Sequence, residues 1–172
     1  MTEDFFKFIS ETTKENFMRS QKAVQMSDDY DPYSDDLDKM TKLLDANKLE
    51  ETVDFSTVNV ILSPRAHLYK SFALEQLGRK EEANSESILA QKIMEGISIT
   101  GYGSLRYPYF ITQISDERDF LMYLKEEFGS QELMTGDNVV FDKITCKSGR
   151  MVYFDITIPY LRLQKLSAGS AN

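Results

Sequence analysis

Tryptophan is absent from this chain, and cysteine and histidine occur once each, as Cys146 and His67. A single thiol excludes an intramolecular disulfide framework. One cysteine and one histidine cannot build a structural zinc site of the usual four-ligand kind. One histidine also leaves only one general base of the commonest type. Long apolar runs are missing too, so no segment reaches the roughly 18 residues that a membrane-spanning helix requires. Basic residues are in the minority, 20 against 28 acids, for a net charge of −8. A nucleic-acid binder must neutralise phosphates with a basic patch, and none is visible here. The same balance disfavours anionic membrane surfaces. It suits a basic protein partner drawn in by complementary charge. The acidic start, Met1-Thr2-Glu3-Asp4, carries no signal-peptide pattern, and the cytoplasm is the expected compartment.

What is present is enough to fold. Of 172 residues, 41% are apolar and 12% aromatic, which supplies a core for one domain or two small lobes that share one. Thr2 to Met26 reads as helix from Phe5, Phe6, Ile9, Phe17 and Val24, with a break near Ser10 to Thr12 where Thr12 and Glu15 form a capping box. Ser27 to Asp38 is a loop around Pro32, ending with Ser34 as a helix cap ahead of Asp35, Asp36 and Asp38. Its acids resemble a calcium loop only in density. Pro32 and Tyr33 occupy the middle, and the required glycine and alternate oxygens are missing.

Helical hairpins follow. Leu37, Met40, Leu43 and Leu44 form an apolar stripe that Asn47 ends, and a second helix starts near Leu49. The β-rich stretch Val58 to Leu62 blurs the end of that helix. Ser63-Pro64 opens a helix that stops at Gly78, and another runs from Lys80 to Glu95 with Gly96 as its stop.

Two resemblances rest on these residues. Ala66 to Met94 resembles a tetratricopeptide unit, carried by Ser71, Leu77-Gly78, Glu81-Glu82-Ala83 and Ala90. It departs from that pattern at His67, Lys70 and Ser87. Asn47, Glu50-Glu51 and Thr52 repeat the turn 31 residues upstream, near the family period of about 34. The whole chain also resembles an uncharacterised bacterial family of unknown function. The carrying residues are Tyr30-Asp31-Pro32-Tyr33-Ser34, Leu62-Ser63-Pro64-Arg65-Ala66, Gly101-Tyr102-Gly103-Ser104 with Pro108-Tyr109, and Tyr153-Phe154-Asp155-Ile156. That resemblance implies a bacterial source and no activity.

In the back half, Gly101 to Tyr109 is a loop rich in glycine and tyrosine. The third glycine of a dinucleotide fingerprint is replaced by Arg106, and Pro108 prevents a helix from following at once. Ile97 to Thr100 and Tyr109 to Ile114 read as strands, and Ser115 to Phe128 as a helix stopped by Gly129. Val139 to Lys147 and Arg150 to Ile158 read as a hairpin closed by Ser148-Gly149, with Val152, Phe154, Ile156 and Ile158 facing the core. Pro159 ends that strand. Tyr160 to Leu163 forms a last turn, and Ser167 to Asn172 reads as a frayed tail.

The expected fold is α+β, with tetratricopeptide-like hairpins over residues 1–96 and an antiparallel sheet plus helix over 97–172 in one continuous unit. His67 reads as structural and Cys146 as a small buried hydrophobe. No cofactor or metal is expected. The expected function is a non-enzymatic protein-interaction module, such as an immunity or adaptor protein of a bacterial toxin or secretion system. Tyr30, Tyr33, Tyr102, Arg106, Tyr107 and Asp155 are its candidate contact residues. The alternative is a small enzyme with an acid and tyrosine site near the Gly-Tyr loop, which requires Asp155, Arg106 and His67 to converge.

Overall fold

The computed structural model describes residues 2–169. Among these residues eight helices and four strands occur in the order α1 (Thr2–Ser10), α2 (Lys14–Gln25), α3 (Asp36–Asp45), α4 (Leu49–Asp54), α5 (Pro64–Gln76), α6 (Lys80–Ser98), β1 (Tyr109–Phe110), α7 (Asp116–Tyr123), β2 (Phe128–Gly136), β3 (Val139–Cys146), β4 (Met151–Asp155) and α8 (Thr157–Gly169). The fold is α+β, with helices in front and a sheet behind.

The expected break in the first segment is there, but Thr13 rather than Thr12 makes the cap, its side chain accepting from the Asn16 amide. Ser34 Oγ accepts from the Asp36 amide at 3.1 Å, and α3 begins at Asp36. Both hairpin turns have the same geometry. Asn47 and Gly78 take left-handed φ values of 56° and 78°. In each turn the next amide reaches back five residues, Lys48 to the Leu43 carbonyl at 2.8 Å and Arg79 to Leu74 at 2.9 Å. This is the Schellman arrangement, and it explains why the sequence repeats itself there. Between α5 and α6, Ser71 Oγ donates to the Ala83 carbonyl at 2.8 Å and shares a hydrogen bond with Ser87 Oγ. The small residues of the seam let the two helices approach.

Gly96 does not stop α6, which continues to Ser98. It is small because the Phe17 ring sits on it: a Cβ there would lie 2.4 Å from Phe17 Cδ2. Alanine is the better helix former by about 1 kcal/mol. Phe17 is fully buried, however, and overpacking a filled core costs about 1–3 kcal/mol. Gly96→Ala therefore lowers the thermal midpoint despite the gain in propensity, and a raised midpoint would show that the ring gives way.

The sheet order is β1-β4-β3-β2. β2, β3 and β4 are antiparallel neighbours, but β1 joins β4 in parallel, so the sheet is mixed rather than purely antiparallel. Several expected boundaries move. Ile97 and Ser98 end α6 instead of forming a strand, and the strand expected at Tyr109 to Ile114 shortens to Tyr109–Phe110. The helix expected to reach Phe128 ends at Tyr123, after which Lys125 takes a left-handed φ of 59° and turns the chain into β2. Gly129 is a bulge residue, where a Cβ would meet the Thr145 carbonyl oxygen at 2.5 Å. β4 ends at Asp155, and Pro159 lies in the first turn of α8. The first amides of a helix have no intrahelical acceptor, so proline costs nothing there. Residues 167–169 of the expected tail belong to α8, and residues 170–172 lie outside the described residues.

One core joins the two halves. Phe8, Phe17, Val24 and Ile93 from the helices pack with Phe120, Ile144, Val152 and Phe154 from the back half. A smaller cluster of Met40, Val60 and Ala66 lies under α3 to α5.

Candidate functional site

α5 carries apolar residues on its buried side and outside it. Ala66, Ala73 and Leu74 are buried, whereas Leu68 and Phe72, one turn apart, are 50% and 51% exposed. Apolar residues on an outward-facing stripe as well as on the buried side leave that outer stripe of α5 without cover. The uncovered face of α5 forms one wall of a groove with α6 and α7, lined by Leu68, Ala90, Met94, Met122 and Tyr123, with a volume of about 470 Å³. Met122 and Tyr123 are also largely exposed. Contiguous exposed apolar surface marks interaction sites in soluble proteins, and Met, Tyr and Arg are enriched at them.

A fixed polar pair borders this groove. Arg65 on α5 clasps Asp119 on α7: Nε donates to Oδ1 at 2.9 Å and Oδ2 at 3.1 Å, and a terminal nitrogen donates to Oδ1 at 2.6 Å. Burial pushes the Asp119 carboxyl up, against the opposing pull of Arg65. Asp119 belongs to a run of three acids that sequence reasoning passed over. Asp116, Glu117 and Asp119 occupy the first turn of α7 and are all buried. Asp116 Oδ2 accepts the amides of Thr112 at 3.2 Å and Gln113 at 2.8 Å, while Oδ1 has no partner among the described residues. Burial pushes its carboxyl up to about 7.

Glu117 is stranger still. Among the described residues its Oε1 has no donor, Gln131 Nε2 reaches Oε2 only at 3.4 Å, and the buried carboxyl of Asp142 lies beside it. Burial and then Asp142 push Glu117 up to about 9. Two carboxylates cannot hydrogen-bond one another, but one proton between them satisfies both. Tyr33, half exposed, lies near the pair, and its hydroxyl is raised by burial and by Asp142 and Glu117. The visible signal was Asp142, an acid in the same register as buried Val140 and Ile144.

The sequence candidates fall in four separate places. Tyr102, Arg106 and Tyr107 share one exposed loop tip, with Tyr102 79% exposed, its ring edge-on to Tyr107, and the Arg106 guanidinium over the Tyr107 ring. The loop is held from within: the Tyr102 amide donates to the Tyr107 carbonyl at 2.9 Å, and a Cβ on Gly101 would collide with the Pro108 carbonyl. Gly101 thus serves close backbone approach, and Gly103 takes a left-handed φ of 70°. Rings connect this loop to the groove, since Gly103 sits on Tyr109, Tyr109 packs on Phe120, and Phe120 stacks on Tyr123. Tyr33 lies apart, over the Glu117–Asp142 pair. Tyr30 is fully buried, its hydroxyl donating to the Thr112 carbonyl at 2.5 Å, so burial removes it from any contact surface. Asp155 is half-buried and accepts the Thr157 amide at 2.9 Å at the start of α8. It also lines a second apolar groove of about 720 Å³ with Met18, Met26, Phe110, Val139 and Ile158.

Asp155, Arg106 and His67 do not converge. His67 is buried under Phe5, with Nδ1 2.6 Å from Glu86 Oε2 and Nε2 3.0 Å from the Ile61 carbonyl oxygen. Cys146 is buried on β3 near Glu126 and Arg150, where burial pushes its thiol up. In the Ser27 to Asp38 loop, Asp31 accepts the Tyr33 amide. Asp36 accepts from Thr57, Asn59 and Lys39. Burial alone would raise the Asp36 carboxyl, but these donors and Ser34 bring it down to about 2. Among the described residues no helix is long and apolar enough to cross a membrane. In comparisons with known proteins, no family model matches the chain, and no curated protein or solved structure shows significant similarity to it.

Proposed function

We propose that this chain is a non-enzymatic protein-binding module that docks a partner in the α5–α6–α7 groove, with the Gly-Tyr loop beside it. The observation that carries this reading is half-exposed Leu68 of α5 lining one groove with exposed Met122 and Tyr123 of α7. Its fixed Arg65–Asp119 pair supplies one oriented polar contact, with Ser87 and Gln91 as further polar groups in a mostly apolar groove, the usual composition of a recognition site. The net charge of −8 favours a basic partner through long-range attraction. An immunity-type protein or an adaptor of a bacterial toxin or secretion system combines these properties with small size.

Affinity capture from the source cells tests the proposal. The unaltered chain retains one basic protein in stoichiometric amount. Leu68→Glu with Met122→Glu places charges on the groove walls without touching buried residues, and it reduces capture at least about tenfold. Capture unchanged by this pair of substitutions, or no retained partner, contradicts the reading.

A further inference from the structure

β2 is an edge of the sheet and, among the described residues, has β3 as its only strand neighbour. The direction of its free main-chain groups follows from β3. The Val140 amide donates to Thr157 Oγ1 at 3.0 Å, and its carbonyl accepts the Ile156 amide at 2.9 Å, so both groups point away from β2. The Cys146 amide likewise donates to the Arg150 carbonyl, on the β4 side. By alternation, Asp142 and Ile144 also turn their main-chain groups toward β4. Their partners across the ladder are Thr135 for Val140, Leu133 for Asp142 and Gln131 for Ile144. These three residues of β2 therefore direct N–H and C=O outward, and among the described residues nothing meets them.

The usual protections of an edge are thin here. The bulge at Gly129 shields only the start of β2, the strand contains no proline, and Glu132 is its one charge. Leu133, at the centre of the open stretch, is 50% exposed.

We propose that this edge pairs with the same edge of a second copy of the chain, antiparallel and twofold about Leu133. In that register Leu133 faces itself and Gln131 faces Thr135, and each such pair exchanges two main-chain hydrogen bonds. Glu132 falls opposite Met134, so no like charges meet across the new ladder. Charge favours this face over the rest of an acidic molecule. Around the hairpin, Glu132 pairs with Lys143 at 3.0 Å, Glu127 with Lys147 at 2.7 Å and Glu126 with Arg150 at 3.6 Å. Asp137 at the turn is the exposed acid of the hairpin outside these pairs, so a second copy approaches a face where most of the negative charge is paired. The inference stands apart from the groove reading, which concerns another surface.

Sedimentation velocity of the full chain over a range of concentrations tests it, together with amide hydrogen exchange. The expected result is a reversible dimer in which the amides of Gln131, Leu133 and Thr135 become protected as concentration rises. Thr135→Pro removes one outward N–H without touching the β3 ladder, and Leu133→Lys sets two cations face to face. Each weakens the dimer at least about tenfold while the circular dichroism spectrum is retained. A monomer at every concentration overturns the proposal. So does a dimer that survives both substitutions, or one whose three amides stay unprotected.

Discussion

Replacing Arg65 with alanine lowers the unfolding free energy by about 2–3 kcal/mol, below the range for breaking a fully buried ion pair from one side, because the Arg65 side chain is 32% exposed. The Asp119 side chain is 4% exposed and takes three hydrogen bonds from Arg65. Removing the guanidinium strands that carboxylate next to Asp116, itself fully buried and a like charge when ionised. The pair also ties α5 in the helical front to α7 in the back half, so its loss strikes the seam between them. Arg65→Lys keeps the charge but loses the two-pronged geometry, and it falls between the two. Urea unfolding measures both. The deficit of the alanine variant shrinks at mildly acidic pH, where Asp119 can take up a proton. A cost below about 1 kcal/mol would place the pair with ordinary surface salt bridges.

Stability falls as pH rises from about 5 to about 9, by about 1.4 kcal/mol per pH unit for each group protonated only in the folded state. The sign follows from the buried acids. Glu117 is pushed from its ordinary 4.5 up to about 9, and Asp116 from 3.8 up to about 7. The folded chain therefore holds protons that the unfolded chain releases, and this advantage is lost as pH climbs through the folded values. Asp36 acts in the opposite sense. Its carboxyl is lowered from 3.8 to about 2, so its contribution is present above the ordinary value and lost as pH falls through the lowered one. The two flanks place the stability maximum on the acid side of neutrality. Glu117→Gln separates the causes, because the amide keeps a donor toward Asp142 and cannot ionise. Its thermal midpoint matches the unaltered chain near pH 5 and exceeds it near pH 8.5. An equal loss at both values would mean that Glu117 is not a buried proton carrier.

Much of the front half was legible because its signals are local. Ser63-Pro64, Asn47 and Gly78 act through their own backbone geometry, and each sits where its chemistry placed it. β3 and β4 were legible through alternation, since Val140, Ile144, Val152 and Phe154 bury one face. β2 was not, because nearly all its residues are exposed and leave no periodic pattern. α8 was hidden by Pro159, which reads as a strand end unless the helix start at Thr157 is already known. The functional candidates divide the same way. The exposed loop tip of Tyr102, Arg106 and Tyr107 followed from composition, whereas burial of Tyr30 depends on Thr112, far along the chain. The groove needed tertiary structure, although Leu68 and Phe72 hinted at it as apolar residues of α5 outside its buried side. Asp155 drew attention as an acid within an apolar strand, yet Asp142, on the neighbouring strand and the opposite face, is the buried one.

Amide hydrogen exchange on the captured complex, compared with the free chain, tests the central claim most directly. Docking in the groove slows exchange in α5, α6 and α7, with a smaller effect at residues 101–107, and leaves α2 and the α8 corner unchanged. Protection confined to α2 and α8, or spread evenly over the molecule, would contradict the assignment of the groove as the binding surface.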